Sequence, residues 1–173
     1  MRPQPTDHAP YYQHYIDLAP GQDLQQAFAI ADQLTFKYLD TIPVDRDNYA
    51  YAEGKWTVKQ LFQHVIDTER IFAYRALCIA RGEQGNLPGF DENEYAKNVT
   101  GENRSLPELI AEFKAVRETT KMLFQSFTDE DLQRIGTANN VKIKVLALGY
   151  IILGHAIHHL NVLKERYLIQ SIA

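Results

Sequence analysis

Hydrophobic residues recur every three or four positions in four long segments of the chain, which is the spacing of one face of an α-helix. The first segment is Leu24–Leu39. Asp23 and Gln26 form a capping-box pair at its start, and Pro43 discourages helix beyond Thr41. Its apolar face consists of Leu24, Phe28, Ala31, Leu34 and Tyr38.

The next two segments also begin at residues typical of helix N-termini. Thr57 with Gln60 opens the second helix, which is predicted to run to about Ala80. Ser105 opens the third helix, and Glu108 completes its capping box. The apolar face of the third helix consists of Leu109, Phe113, Val116, Leu123 and Phe127.

The fourth long helix is predicted over residues 143–168, after a short piece that Thr128 caps and that ends near Gly136. No segment shows a convincing strand alternation, although residues 141–145 alternate briefly and could form an extended lead-in. Four long helices without a sheet predict an all-α four-helix bundle. The whole chain, residues 1–173, is predicted to form this one domain.

The connection between helices two and three, residues 81–104, is long and rich in glycine, asparagine and charge. A loop of this length in a bundle usually crosses from one end to the other or shapes a site. We therefore predict a crossover that makes helices two and three parallel. Phe90 and Tyr95 are expected to hold it on the bundle.

The amino-acid composition excludes several classes of function for the protein. The chain has 173 residues, a formal net charge of -4, and 45% hydrophobic against 23% charged residues. An acidic chain of this kind disfavours nucleic-acid binding, which needs a basic surface. The longest apolar stretch is too short to predict a membrane span, and the polar N-terminus does not resemble a signal peptide. The single cysteine, Cys78, excludes an internal disulfide and favours a cytoplasmic location.

Two histidines in the fourth helix have the spacing of metal ligands. At 100° per residue, His155 and His159 lie about 40° apart on the inward stripe, whereas His158 lies about 80° away from its centre. An i,i+4 pair can direct two imidazoles at one ion. Histidines on helices are more often surface or capping groups, but buried imidazoles need partners for both ring nitrogens, and a metal ion meets that need.

His64 lies on the inward stripe of the second helix and is the predicted third ligand. A lone histidine there is more often a core residue whose hydrogen bonds are satisfied. Together with His155 and His159, however, it predicts one divalent transition metal, of the Zn, Ni, Co or Fe type, rather than Mg or Ca. Three neutral imidazoles leave coordination positions open, as in catalytic sites.

The segment before the first helix contains two further histidines and three tyrosines. His8 and His14 are expected to be exposed or to cap helices. The tyrosines of the same segment are expected to pack it onto the bundle. They are Tyr11, Tyr12 and Tyr15.

Two stretches resemble the DinB-like superfamily of small metalloenzymes. The first is GKWTVKQLFQHVIDTERIFAYR, which is similar to the family's W-[ST]-x-x-[EQ]-x-x-x-H helix entry. The matching residues are Trp56, Thr57, Gln60 and His64. The second is HAIHHLNVLKERY, which matches the family's H-x-x-x-H helix. Together, in this order and at this separation, the two stretches are more specific than either alone.

The resemblance implies an up-down-down-up bundle with a Ni- or Zn-type ion on the three histidines, and frequently a homodimer. Members of known activity are mostly transferases that use a low-molecular-weight thiol, such as bacillithiol. The expected function is therefore a thiol-dependent S-transferase acting on a small-molecule substrate. The alternatives are a metal-dependent hydrolase, or a non-catalytic stress-response protein that binds metal.

Arg75 is one of two catalytic candidates beyond the histidines. It lies on the inward stripe of the second helix. The simpler interpretation is a buried ion pair with a carboxylate such as Asp67 or Glu69. The functional interpretation is a clamp for a substrate carboxylate.

Asp91 is the second candidate, because the loop that carries it is expected to cover the open side of the ion. Asp91 or Glu94 could act there as a general base, although loop carboxylates are more often simply solvated. Trp56 is expected to pack at the start of the second helix or to line a pocket near the metal. Cys78 is predicted to be a small core residue, too far from His64 along the helix to be catalytic.

Overall fold

Four long helices form an up-down-down-up bundle in the computed structural model of the chain, which describes residues 1–99 and 104–167. The long helices are α2 (Leu24–Leu39), α3 (Val58–Ala80), α5 (Leu106–Gln125) and α7 (Val145–Glu165). Three shorter helices are α1 (Gln13–Leu18), α4 (Glu92–Asn98) and α6 (Asp129–Gln133). The predicted four-helix bundle is confirmed.

The helix starts follow the predicted caps. Asp23 accepts a hydrogen bond from the backbone N–H of Gln26 at the start of α2. Reciprocal capping boxes open α3 and α5, where a residue before the helix and one in its first turn satisfy each other's backbone N–H groups. A third box, between Thr128 and Asp131, opens α6.

A small sheet corrects the prediction that the chain has no strands. Its strands are β1 (Asn86–Leu87), β2 (Ile135–Ala138) and β3 (Val141–Lys144), in the order β1-β2-β3. β2 and β3 pair antiparallel, and β1 pairs parallel to β2. Each strand has at most four residues, which is too short for alternation to be recognised in the sequence. Only the extended lead-in near residues 141–145 was predicted, and it is confirmed.

The sheet also shifts two predicted helix boundaries. α6 ends at Gln133 rather than near Gly136, and α7 begins at Val145 rather than at residue 143. Asn139 and Asn140 have positive φ angles of 51° and 63°, which is the backbone of a tight hairpin turn. Because of this hairpin, the residues on both sides of the turn form β2 and β3 instead of extending the predicted helices. The predicted end of the fourth helix at residue 168 lies outside the described residues.

α7 is the central helix of the bundle and packs against α1, α2, α3 and α6. By length and composition it could cross a membrane, but 72% of its most apolar window is buried inside the fold. That burial identifies α7 as the core helix of the bundle. The buried apolar residues of α7 from Val145 to Leu153 belong to a first apolar cluster. Those from Ala156 onward belong to a second cluster.

The N-terminal segment lies across α7, as predicted. Tyr12 is buried, Tyr15 is half-buried and Tyr11 is exposed. Gly154 makes this contact possible, because a Cβ at that position would lie 1.8 Å from the carbonyl oxygen of Tyr15. The segment is therefore in backbone contact with α7 immediately before His155.

A buried ion pair ties three helices together. Arg117 of α5 is completely buried and donates two hydrogen bonds to the Glu69 carboxylate of α3, at 2.8 and 2.7 Å. A third bond, of 3.0 Å, reaches Asp32 of α2. The two parallel bonds to Glu69 form the bidentate geometry in which guanidinium groups are strongest.

Replacing Arg117 with Met should destabilise the protein by about 3–5 kcal/mol, because Glu69 would remain buried without a partner. Urea unfolding followed by circular dichroism measures the change. Lys121→Ala is the matched control one turn further along α5, where the ion pair with Glu118 is exposed. The control should cost less than about 1 kcal/mol. Equal losses from the two variants would contradict a special role for the buried pair.

Candidate metal centre

The three predicted histidines come together between α3 and α7. His155 and His159 are one turn apart on α7, and His64 faces them from α3. The Nε2 atoms of His64 and His155 are 3.0 Å apart, and those of His155 and His159 are 3.1 Å apart. The candidate ligand atoms of all three lie within 4.8 Å of one another. The long-range pairing of α3 with α7 thus directs three ring nitrogens at one point.

The spacing of these nitrogens fits a bound transition-metal ion. Two nitrogens about 2.1 Å from one ion would lie about 3.0 Å apart at a right angle and about 3.4 Å apart at the tetrahedral angle. The two observed separations, 3.0 and 3.1 Å, lie at the short end of this range. A second observation concerns His159, whose Nδ1 is buried without a hydrogen-bond partner among the described residues. The donor set is three neutral nitrogens, which suits a divalent ion of the zinc or nickel type.

Burial keeps the three imidazoles neutral. Burial, followed by the charge of His158, lowers the pKa of His64 to about 4. Burial also lowers the pKa of His155 and of His159 well below the ordinary value, and neighbouring histidines add to the effect. A neutral imidazole has a free lone pair on one nitrogen, which a metal ion requires. The site is therefore ready to bind an ion at neutral pH.

Two aromatic rings flank the histidines. The Trp56 ring is 4.9 Å from the His64 ring, and the Trp56 carbonyl accepts a 2.6 Å hydrogen bond from the Tyr167 hydroxyl. The Tyr15 ring is 5.3 Å from the His155 ring. Two roles were predicted for Trp56, and its contact with His64 favours the one beside the metal centre.

Tyr15 is a site residue that the sequence indicated only as a packing residue. Burial raises the pKa of its phenol, and the carboxylate of Glu92 raises it further. The phenol therefore remains protonated at neutral pH and can donate a hydrogen bond. Nothing in the local sequence distinguishes Tyr15 from Tyr11 or Tyr12, because its position depends on the contact with α7.

The remaining histidines follow the predictions in part. His14 is exposed as expected, and its Nε2 lies 3.2 Å from Nδ1 of His158. His8 is buried, with only 6% of its surface exposed, and it is the C-cap residue of the 3-10 helix Pro5–Asp7. Of the two roles predicted for His8, exposure is therefore wrong and capping is the one observed. The His8 ring nitrogen Nδ1 lies 3.0 Å from the carbonyl oxygen of Ala9.

Within residues 1–99 and 104–167, Arg75 has no ion pair of the kind that the sequence suggested. Glu69 is bonded to Arg117, and Asp67 accepts from Gln63. Arg75 is buried and donates a 2.7 Å hydrogen bond to the Pro88 carbonyl oxygen.

The Arg75 guanidinium also lies over two aromatic rings, 5.1 Å from the centroid of Phe72 and 5.9 Å from that of Phe90. Arg75 thus anchors the crossover between α3 and α5, because the inward stripe at this level faces that segment rather than a carboxylate. Its proposed role as a clamp for a substrate stays a prediction.

The described part of the crossover contains α4 and β1. Asp91 is exposed and caps α4, accepting hydrogen bonds from the N–H groups of Asn93 and Glu94. Glu94 is exposed and pairs with Lys97. Neither carboxylate belongs to the group of candidate metal ligands among the described residues. Catalysis by Asp91 and coverage of the site by this segment stay predictions.

Two other residues behave as predicted. Phe90 packs against the first apolar cluster, and Cys78, a free thiol, does the same. Tyr95 contacts the Phe90 ring but remains 48% exposed, so Phe90 is the stronger of the two anchors.

Comparisons with known proteins agree with this arrangement. The family described as the DinB superfamily matches residues 27–163. A candidate metal-dependent hydrolase of Geobacillus thermodenitrificans is 30% identical over 118 residues, which cover 65% of this chain and 64% of the relative. The match therefore spans just under two thirds of that relative's length.

Two solved structures from Bacillus subtilis share the fold. YfiT, described as a candidate metal-dependent hydrolase with an unusual four-helix bundle topology, superposes with a TM-score of 0.68 at 15% identity. That match covers 98% of this chain and 91% of YfiT. The DinB-like protein YjoA gives a TM-score of 0.56 at 21% identity, over 84% of this chain and 88% of YjoA. At these identities the likeness shows the fold.

Replacing any one of the three histidines His64, His155 and His159 with Ala should remove stoichiometric metal binding, because two imidazoles hold an ion far more weakly than three. Elemental analysis and calorimetric titration with Zn²⁺ or Ni²⁺ measure the stoichiometry. His158→Ala is the matched control on the same helix and should retain about one ion per chain. Equal loss from His158→Ala would place the site on another face of α7.

The stability of the metal-free protein should fall on acidification. The folded-state pKa of His64, about 4, lies below the ordinary histidine value of 6.5, so the unfolded chain takes up the proton first. The free energy of unfolding should therefore drop between about pH 6.5 and pH 4, by up to about 1.4 kcal/mol per pH unit for each such histidine. Urea titrations at several pH values test this. His64→Asn should show a shallower slope above pH 5, and an unchanged slope would contradict the assignment.

Proposed function

The chain belongs to the DinB superfamily, and from that premise we propose that it is a metal-dependent hydrolase whose ion is held by His64, His155 and His159. The observation that carries the proposal is the convergence of three neutral Nε2 atoms at separations that suit one ion. The description of the Geobacillus relative as a candidate metal-dependent hydrolase supports the reaction class.

The donor set explains what chemistry the site would support. When bound, a divalent ion would supply Lewis acidity and make water a better nucleophile. Because the three imidazoles are neutral, they would leave the ion's full charge available for that purpose. In hydrolysis, the water oxygen forms a bond to the electrophilic atom, the bond to the leaving group breaks, and the leaving group takes up a proton.

The flanking aromatic residues would bind and orient the substrate. Trp56 lies against His64 and is fixed by the hydrogen bond from Tyr167, so it offers a rigid apolar wall. Tyr15 lies against His155 on the N-terminal segment. Its protonated phenol could donate a hydrogen bond to a substrate oxygen, where negative charge develops during hydrolysis.

Transfer of a low-molecular-weight thiol is the second candidate function. It is favoured by the absence of a carboxylate from the candidate ligand group within residues 1–99 and 104–167. An ion held by neutral donors alone would retain a charge that attracts an anionic thiolate. The choice of Zn or Ni, the homodimer, the cytoplasmic location and the absence of nucleic-acid and membrane partners stay predictions.

The reaction class can be tested with the purified protein, stripped of metal and reloaded with Zn²⁺ or Ni²⁺. We expect hydrolysis of activated esters and amides that depends on the ion, falling at least about a hundredfold in His155→Ala because the ion is lost. The control is His158→Ala, which should retain the activity. Equal hydrolysis by the metal-free protein would contradict the proposal.

A parallel assay distinguishes the second candidate. The same preparations are incubated with a thiol and an electrophile, and the thioether product is quantified. Metal-dependent thioether formation without ester or amide hydrolysis would replace the hydrolase proposal by the transferase.

A further inference from the structure

Two residues that line the same small cavity each have a buried polar atom without a hydrogen-bond partner in the described chain. The residues are Thr35 on α2 and His159 on α7, and the atoms are Oγ1 and Nδ1. The cavity has a volume of about 10 Å³, and its other lining residues are apolar. This volume is close to the least room that one water molecule needs. The fold thus places a threonine with an unpartnered hydroxyl and a histidine with an unpartnered ring nitrogen beside one space about the size of a water.

The ligation proposed for His159 determines where its proton must be. A neutral imidazole has one proton, which is bound to either Nδ1 or Nε2. Nε2 of His159 is the atom that lies 3.1 Å from Nε2 of His155, on the side of the candidate ion. If Nε2 binds the ion, the proton must be on Nδ1, and that N–H group is buried without an acceptor among the described residues. A buried N–H group of this kind requires an acceptor.

We propose that Thr35 is the positioning residue of His159: Nδ1–H donates a hydrogen bond to one water in the shared cavity, that water donates to the hydroxyl oxygen of Thr35, and Nε2 stays free for the ion. This inference rests on the proposed metal ligation by His159. Histidine ligands generally donate their second N–H group to such a partner, which fixes both the tautomer and the ring orientation. Thr35 is 1% exposed, so bulk water does not compete for its hydroxyl.

The alternative state of His159 shows why the hydroxyl matters. Without an acceptor near Nδ1, the proton would move to Nε2, where it can form a hydrogen bond with Nε2 of His155. A proton on Nε2 blocks the lone pair that the ion needs. Thr35 therefore acts on metal binding by selecting between two tautomers, while either tautomer is compatible with the folded bundle.

Replacing Thr35 with Val, which keeps the shape and removes the hydroxyl, tests the proposal. The affinity for Zn²⁺, measured by competition with a chelating dye, should fall roughly tenfold to a hundredfold. The unfolding midpoint of the metal-free protein should not fall, because His159 can then bond to His155. Thr35→Ser keeps the hydroxyl and should restore the affinity.

Thr68→Val is the matched control. Thr68 is also buried, and its hydroxyl also lacks a partner among the described residues, but it does not line the cavity. This variant should bind Zn²⁺ like the wild type. Unchanged affinity in Thr35→Val, or equal losses in both valine variants, would overturn the proposal.

A measurement without metal separates this inference from the proposed function. Nitrogen-15 NMR of the imidazoles in the metal-free protein should show a proton on Nδ1 of His159 in the wild type and a shift toward Nε2 in Thr35→Val. Such a shift would support the inference even if the loaded protein hydrolyses nothing. The same tautomer in both proteins would overturn it, even if hydrolysis is observed.

Discussion

The main constraint on the bundle is that neutral imidazoles lie inside its apolar interior. Each imidazole has two nitrogens that need partners, and burial without them costs free energy. The structure meets this constraint by turning three Nε2 atoms toward one another, at separations of 3.0 and 3.1 Å. The histidines lie where the two apolar clusters of the core meet along α7. The packing of α3 against α7 keeps these nitrogens at the observed separations.

Two segments outside the long helices, the N-terminal segment and the crossover, are each held on the bundle by a specific contact. The N-terminal segment reaches α7 because Gly154 allows backbone contact, and this contact brings Tyr15 beside His155. The crossover is held by Arg75, which binds the Pro88 carbonyl instead of a carboxylate. Arg117 performs the structural ion pairing that the sequence suggested for Arg75. Two buried arginines thus have different tasks, one joining helices and the other anchoring a loop.

Membership of the DinB superfamily accounts for the fold, but the reaction is decided by local chemistry. Neutral donors, open coordination positions and a protonated phenol are all compatible with attack on an electrophile. The same features accommodate water or a thiol as the nucleophile. The ligand set therefore does not specify the substrate.

The sequence by itself determined the long helices and the three histidines. Helical periodicity and capping residues are local properties, so the starts of α2, α3 and α5 could be predicted closely. The i,i+4 spacing of His155 and His159 is also local, and His64 could be added because it interrupts an apolar stripe. The family's two motifs contain the same residues.

Tertiary structure alone decided the small sheet, the partner of Arg75 and the neighbours of the histidines. Strands of two to four residues carry too little pattern to be recognised, and they form here because a hairpin turn and β1 meet in space. Thr35 and Tyr15 are distant from His159 and His155 in the chain and resemble ordinary core residues. Their roles depend on helix packing, because only packing determines which polar atoms share a cavity and which rings touch.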